Sequence, residues 1–429
     1  MGFPELPQNN SPPSMEKQSP ARLKINSSIL FLVATSIIIL TIWILSSSFD
    51  PINNFLAGIH FSNNPDNCSY PVIANDPIHD PSFYDDDPDL SYSIGGQSVV
   101  KNWDLKRQEW LQLNPSFAPG RVVMVTGSQP GPCKNPIGDH FLLRFFKNKV
   151  DYCRIHGYDI FYNNNLLHPK MNSYWAKLPA IRSAMLAHPE AEWIWWVDSD
   201  AAITDMDFKL PLNRYKDHNL VVHGWANLIY EKRSWTSLNA GVLLIRNCQW
   251  SIDLIEVWAA MGPQNADYDK WGRILRSTLP DKMFPESDDQ SGLVYLILKG
   301  EKKWTDKIYL EGGYYFEGYW LEIVGTLDEI NRIYFEGDVL LRRRRRSEKM
   351  AHTYNETAMR ELRRRRPFVT HFTGCQPCSG DHNGNYSGAS CWDGMQKALN
   401  FADNQVIRSY GFVHPDLLNS SYVSPSTVG

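Results

Sequence analysis

The chain of 429 residues has almost no net charge: 43 Lys and Arg stand against 47 Asp and Glu, a formal −4. A dedicated nucleic-acid binder needs a strong basic excess, so that class of partner is disfavoured. One Cys-x-x-Cys pair exists, Cys375–Cys378, a spacing that suits redox or zinc chemistry; no second pair completes a zinc site, and a structural role near a turn is the expectation. With seven cysteines, at least one has no partner within the chain. No internal repeat is apparent.

One absence is local. From Ile25 to Leu45 the sequence reads INSSILFLVATSIIILTIWIL, without a single charge. That length spans a bilayer as a helix. Lys17, Arg22 and Lys24 precede it and Asp50 is the first charge after it. Positive charge stays on the cytosolic side, which puts the N-terminus in the cytosol and the rest of the chain across the membrane. A cleaved signal peptide has a shorter apolar core and a small-residue cleavage site. The expected layout is therefore a cytosolic tail (1–24), a transmembrane signal anchor (25–45), a stem rich in Asn, Pro, Asp and Ser (46–100), a main folded domain (101–416) and a C-terminal tail (417–429). In an oxidising lumen some cysteines should pair. Sequons at Asn67, Asn355, Asn385 and Asn419 all follow the anchor, where glycosylation reaches them.

What is present in quantity is apolar and aromatic. Hydrophobic residues make up 43% and there are 15 Trp and 20 Tyr, enough for a large core and also suited to packing on sugar faces. Short β-branched runs alternate with helical periods. RVVMVTG (Arg121–Gly127), YDIFYNN, EWIWWVD, NLVVHG and AGVLLIRN read as strands. The stretches VKNWDLKRQEWLQLNP, closed by Pro115, LLRFFKNKVDYCRIHG, SYWAKLPAIRSAMLAHPE and DDQSGLVYLILK read as helices, with Pro179 expected to kink the third. Such alternation predicts an α/β domain with a largely parallel sheet, which binds ligands at the carboxyl ends of its strands. Two arginine runs, LLRRRRRSEK and ELRRRRP, have two readings: a polyanion or membrane-surface patch, or a salt-bridged helical excursion.

The strand EWIWWV ends on Asp198, Ser199 and Asp200. Residues i and i+2 of an extended chain share a side, so the two carboxylates should converge. Charges at the end of a buried strand need a partner, and Mg²⁺ or Mn²⁺ takes oxygen ligands while leaving room for phosphates. His371, at the end of the strand FVTH, is a third candidate ligand. Asn239 and Gly241 of LNAGVLLIRN combine an amide for a sugar hydroxyl with room for close backbone approach. Asp288, Asp289 and Gln290 open a helix. They either cap it, or orient a sugar hydroxyl and face the anomeric carbon.

The order of these motifs resembles retaining GT-A glycosyltransferases. TGSQPGPCKNPIGDH, KNKVDYCRIH, LLHPKMNSYWAKLP, WWVDSDA, HFTGCQPCSGDHN and LNFADNQVIRSYGFVH look like plant glycosyltransferase family 34, with a resemblance running from Asn102 to His414. That family contains xyloglucan α-1,6-xylosyltransferases and galactomannan α-1,6-galactosyltransferases of the Golgi. The resemblance implies a Rossmann-like GT-A fold, Mn²⁺ held by Asp198, Asp200 and His371, and a UDP-sugar donor. Gly127, Ser128 and Gln129 would line the uridine pocket and Ser199 would touch the ribose. Asp288, Asp289 and Gln290 would surround the transferred sugar, with Asn239, Gly241, Gly374 and Gln376 also on the donor. A Lys often follows H-x-x-G in such enzymes; here Gln376 stands nearby, and Lys177 or Arg182 is the expected substitute cation. YYFEGYWLEI favours galactosyl transfer to a β-1,4-mannan over xylosyl transfer to a glucan. A scaffold subunit in a Golgi homo- or hetero-oligomer is the non-enzymatic alternative.

Overall fold

The computed structural model of the protein describes residues 100–117, 120–333, 366–419 and 422–426, all within one compact unit, Ile78–Gly429. The expected cytosolic tail and membrane anchor, the stem up to residue 99, the Asn67 and Asn355 sequons, Cys68 and the first arginine run lie outside the described residues. Among the described residues, no helix is long and apolar enough to cross a membrane. Of the second run only Arg366 is described; it is buried and ion-paired with Asp205 at 3.2 Å and Asp207 at 3.0 Å.

Eight strands position the site, and all but Ala201–Ile203 and Ile308–Glu311 fall on runs whose sequence reads as a strand. They are β1 (Arg121–Gly127), β2 (Asp159–Asn163), β3 (Ala191–Val197), β4 (Ala201–Ile203), β5 (Leu220–Gly224), β6 (Leu238–Arg246), β7 (Ile308–Glu311) and β8 (Val369–His371). Six of them make one sheet in the order β2-β1-β3-β6-β5-β7. β1 is parallel to β2 and β3, and β5 is parallel to β7. β6 runs against both of its neighbours, β3 and β5. The sheet is thus mostly parallel, with one reversed strand.

Alternation along the strands feeds two cores. Val123, Val125, Ile194, Trp196, Leu243 and Ile245 face one side, with helices α3 (Lys177–Ala187), α4 (Gln249–Ala259) and α6 (Asp289–Lys299). Val122, Met124, Trp193, Trp195, Val221 and Leu244 face the other, against Tyr152 of α2 (Pro136–His156). Each large apolar side chain fully buried this way contributes roughly 1.5–3 kcal/mol. The other long helices among the described residues are α1 (Trp103–Leu113), α5 (Tyr268–Thr278) and α7 (Gly388–Ile407). The Trp103 indole donates to Asn247 Oδ1 at 2.7 Å and so ties α1 to the sheet domain.

Pro179 does not kink a continuous helix. A 3-10 turn, Ser173–Ala176, precedes α3, and Pro179 falls in the first turn of α3. The amide it lacks would have had no intrahelical partner there, so the ring is tolerated.

Candidate active site

β3 runs out at Val197, and the next three residues turn the chain into β4. The turn is closed by Ala201 N donating to Asp198 O at 3.1 Å. Asp198 and Asp200 therefore converge through a turn, rather than through the extended i, i+2 geometry expected of a strand. β4 leaves the main sheet and pairs antiparallel with β8, with Ala201 opposite His371. That pairing brings in a histidine more than 160 residues downstream. His371 Nε2 lies 3.3 Å from Asp200 Oδ1 and 3.7 Å from Asp198 Oδ2.

One ligand atom from each of the three residues lies within 4.8 Å of the others, and among the described residues this is the group of acids and histidine able to hold a metal ion. Two carboxylate oxygens and an imidazole nitrogen fit a divalent cation. The far nitrogen, His371 Nδ1, is 3.1 Å from the buried carboxylate of Glu317. Burial works against a charged imidazole, but Asp200 and Glu317 outweigh it and raise His371 to about 10. A bound cation would take the place of that proton. At Asp200, burial favours the neutral acid and His371 opposes it more strongly, so its pKa is lowered.

β6 supplies the floor. Asp198 N donates to Gly241 O at 2.8 Å. A Cβ at Gly241 would meet His371 Cε1 at 2.2 Å and Asp198 Oδ2 at 2.7 Å, so the cluster closes only over a glycine. Asn239 Oδ1 accepts from Gly241 N at 2.7 Å, while its Nδ2 makes only a long contact to Thr373 Oγ1 at 3.5 Å. The Trp196 indole donates to Asp198 Oδ1 at 2.6 Å.

Lys177, at the start of α3, is buried beside the acids. Its Nζ donates to Ala240 O at 2.9 Å and pairs with Asp289 Oδ2 at 2.8 Å and Asp198 Oδ1 at 3.6 Å. Burial disfavours its charge, yet Asp198 and Asp289 hold its pKa above the ordinary lysine value. Burial also raises Asp289 to about 6, Lys177 offsetting only part of the effect. Arg182, the other candidate cation, instead pairs with Glu256 at 3.1 Å. Gln290 is braced against β6, its Oε1 accepting from Ala240 N at 3.3 Å and its Nε2 donating to Trp235 O at 3.0 Å. Asp288 is engaged elsewhere. Its Oδ1 caps α6 by accepting from Ser291 N at 2.8 Å, and its Oδ2 pairs with Lys282 Nζ at 2.7 Å.

The remaining sequence-chosen residues lie on flanking loops. Gly127 ends β1 and Ser128 follows it; Ser128 N donates to Asn163 O at 3.0 Å and its Oγ accepts from Tyr162 at 2.7 Å. Gln129 is exposed, with its amide on Gly131 O at 3.1 Å. Ser199 O lies 3.4 Å from the Nζ of buried Lys149. Gly374 has φ +83°, which favours glycine, and Gln376 accepts from Ser379 Oγ at 3.1 Å. Disulfides Cys133–Cys378 and Cys375–Cys391 stitch this loop to the β1–α2 loop and to α7. The two cysteines of the Cys-x-x-Cys pair thus bond to partners outside it. Asn385 and Asn419 are exposed.

Sequence reasoning missed Glu317 and Lys149. The signal for Glu317 was one acid inside the aromatic run YYFEGYW. Lys149, two positions after Lys147 on the same helix, carried none.

A mostly parallel sheet whose carboxyl edge gathers two acids, a histidine and a buried lysine defines a protein equipped to hold a divalent cation with an anionic ligand. The comparisons narrow this. The profile of the galactosyl transferase GMA12/MNN10 family matches residues 118–382. Glycosyltransferase 6 of Arabidopsis thaliana is 56% identical over 419 residues, covering 94% of each chain. Galactomannan galactosyltransferase 1 of Cyamopsis tetragonoloba is 54% identical over 425 residues, covering 94% of this chain and 96% of its own. A crystallised galactosyltransferase bound to donor and acceptor sugar analogues aligns at 11% identity and a TM-score of 0.29, over 67% of this chain and 99% of its own, too weakly to bear on the argument. The chain belongs to the galactosyl transferase GMA12/MNN10 family and is a glycosyltransferase.

Proposed function

We propose that the protein is a retaining GT-A enzyme that transfers galactose from UDP-galactose, in α-1,6 linkage, to a β-1,4-mannan. The observation that carries the chemistry is the convergence of Asp198, Asp200 and His371 beside the Lys177–Asp289 pair. The choice of galactose and mannan draws on the Cyamopsis relative's name. The chain would work in the Golgi lumen as a single-pass type II membrane glycoprotein, a reading supported by the uncharged 25–45 stretch and the sequons at Asn385 and Asn419.

In this reading Asp198, Asp200 and His371 hold Mn²⁺, which when bound supplies Lewis-acid stabilisation of the UDP diphosphate as a leaving group. Lys177 adds fixed positive charge on the same side, standing in for the lysine missing after H-x-x-G. Gly127, Ser128 and Gln129 flank the uridine, with Ser199 on the ribose and Gly374 and Gln376 on the loop opposite. Asn239 offers its loosely held Nδ2 to a sugar or phosphate oxygen. Asp289 accepts from a sugar hydroxyl, and Gln290, held rigid by Ala240 and Trp235, presents its amide to the anomeric centre. Asp288 holds α6 in place. Retention follows from same-face attack: the acceptor hydroxyl oxygen bonds to the anomeric carbon as the bond to the diphosphate breaks, and its proton passes to the departing phosphate oxygen.

The test measures UDP release by the full-length chain with Mn²⁺, using UDP-galactose or UDP-xylose and manno- or cello-oligosaccharides. Turnover with UDP-galactose on mannan is expected. Turnover confined to UDP-xylose and glucan would sink the substrate choice, and none with any pair would sink the enzyme.

A further inference from the structure

The segment Tyr315–Tyr319 runs beside β8 without belonging to the main sheet. Val369 N donates to Tyr315 O at 3.1 Å and His371 N donates to Gly318 O at 2.8 Å. Tyr319 forms a bridge with His371. The approach is close. A Cβ at Gly318 would meet Val369 O at 2.7 Å and Ile323 Cδ1 at 2.5 Å. The backbone of this segment is therefore locked to the strand that carries His371, and of the two residues between those contacts, Glu317 is buried with its carboxylate turned to the imidazole.

A carboxylate that is only 5% exposed needs a partner. The partner shown for Glu317 is His371 Nδ1, at 3.1 Å. Thr373 Oγ1 also approaches that nitrogen, at 3.2 Å, but a hydroxyl can donate or accept and so selects no tautomer. An ionised carboxylate can only accept. It keeps the hydrogen on Nδ1, and leaves the Nε2 lone pair facing Asp198 and Asp200.

We propose that Glu317 is the positioning residue of the metal site, fixing the tautomer and ring plane in which His371 binds a divalent cation through Nε2. The proposal rests on the metal-site reading above and adds to it a residue that sets metal affinity without touching the metal. It also gives the acid inside the aromatic run YYFEGYW a function, and Gly318 lets the segment approach β8.

The test is a Mn²⁺ titration of the full-length chain in detergent, read from the EPR signal of free Mn²⁺, with and without UDP. Glu317→Gln keeps shape and loses the obligatory acceptor; it should weaken Mn²⁺ binding about 10–100-fold while the melting temperature holds. Glu317→Asp keeps the charge but withdraws it by one methylene, so its affinity should fall between the two. Glu317→Gln binding Mn²⁺ within twofold of the parent overturns the proposal. Should Glu317→Gln fail to fold, parental affinity in Glu317→Asp overturns it equally. The parent and Asp200→Asn separate the two layers. If the parent binds and Asp200→Asn does not, a silent Glu317→Gln refutes Glu317 alone. If the parent itself binds no Mn²⁺, the metal-site reading falls and the proposal falls with it.

Discussion

Replacing Gly241 by alanine adds one methyl group at the tightest point of the site. The new Cβ would stand 2.2 Å from His371 Cε1, where ordinary contact begins at 3.4 Å, so something must move by about 1.2 Å. Neither side yields easily. β6 is paired along both edges, to β3 and β5, and cannot withdraw without tearing the sheet. His371 is held through its backbone by Gly318 and through its ring by Glu317. The same Cβ would press Asp198 Oδ2 at 2.7 Å. The imidazole and Asp198 must therefore spread apart. A displacement near 1 Å at reacting or ligating groups costs about 100-fold in rate, and overpacking a tight site costs about 1–3 kcal/mol of stability. Gly241→Ala should fold, melt a few degrees lower and lose at least about 100-fold in kcat/KM for UDP release. A variant with parental melting temperature and kcat/KM within about threefold would refute the reasoning, because the strand or the histidine would then have to be softer than this network of contacts allows.

Asp200→Ala removes a proposed metal ligand from a half-buried turn and should abolish UDP release while leaving the far-UV circular dichroism and melting transition intact. Retained turnover would remove the metal assignment. Lys149 is buried behind the turn, its Nζ donating to Ala201 O at 2.8 Å, and burial lowers its pKa from 10.5 to about 7 despite Asp200 and Asp198 nearby. Between those values the unfolded chain binds the proton and the folded protein does not, so this group makes stability rise with pH from about 7 towards 10.5, by at most about 1.4 kcal/mol per pH unit. Denaturant melts of Lys149→Met should lack that rise; an unchanged pH profile would contradict it. Cys378→Ser opens the bond between the β1–α2 loop and the loop after His371, and should cost about 2–5 kcal/mol in denaturant unfolding under non-reducing conditions. A loss well below 1 kcal/mol would show that packing alone holds the two loops together.

Much of the frame was legible because strand patterns are local. Arg121–Gly127 and the EWIWWV run are strands on the strength of β-branched and aromatic residues bounded by turns, and no distant contact was needed to see it. Asp198, Asp200 and His371 were legible as chemistry for a related reason: acids at the end of an apolar strand demand a partner wherever the chain goes. The failures share a different cause. Asp288 and Asp289 are neighbours in sequence and equivalent by composition. One meets Ser291 N and Lys282, the other Lys177, and only the packing of α6 against β6 and α3 separates them. Lys177 and Arg182 were interchangeable on the page, yet one faces the acids and the other faces Glu256.

The sequence by itself determined the class of domain, the strand that delivers two acids to a ligand-binding edge, and the kinship that makes the chain a glycosyltransferase. These follow from local periodicity and from motifs long enough to be read without a structure. Tertiary structure alone decided which side chains meet. The antiparallel pairing of β4 with β8 sets His371 beside Asp200, and β6, running against its neighbours, slides Gly241 beneath them. Glu317 joins through a segment that belongs to no strand of the main sheet. The physical reason is that a metal site needs donor atoms within a few ångströms of one another. Proximity across 170 residues is a property of sheet register and loop closure, which no local pattern encodes.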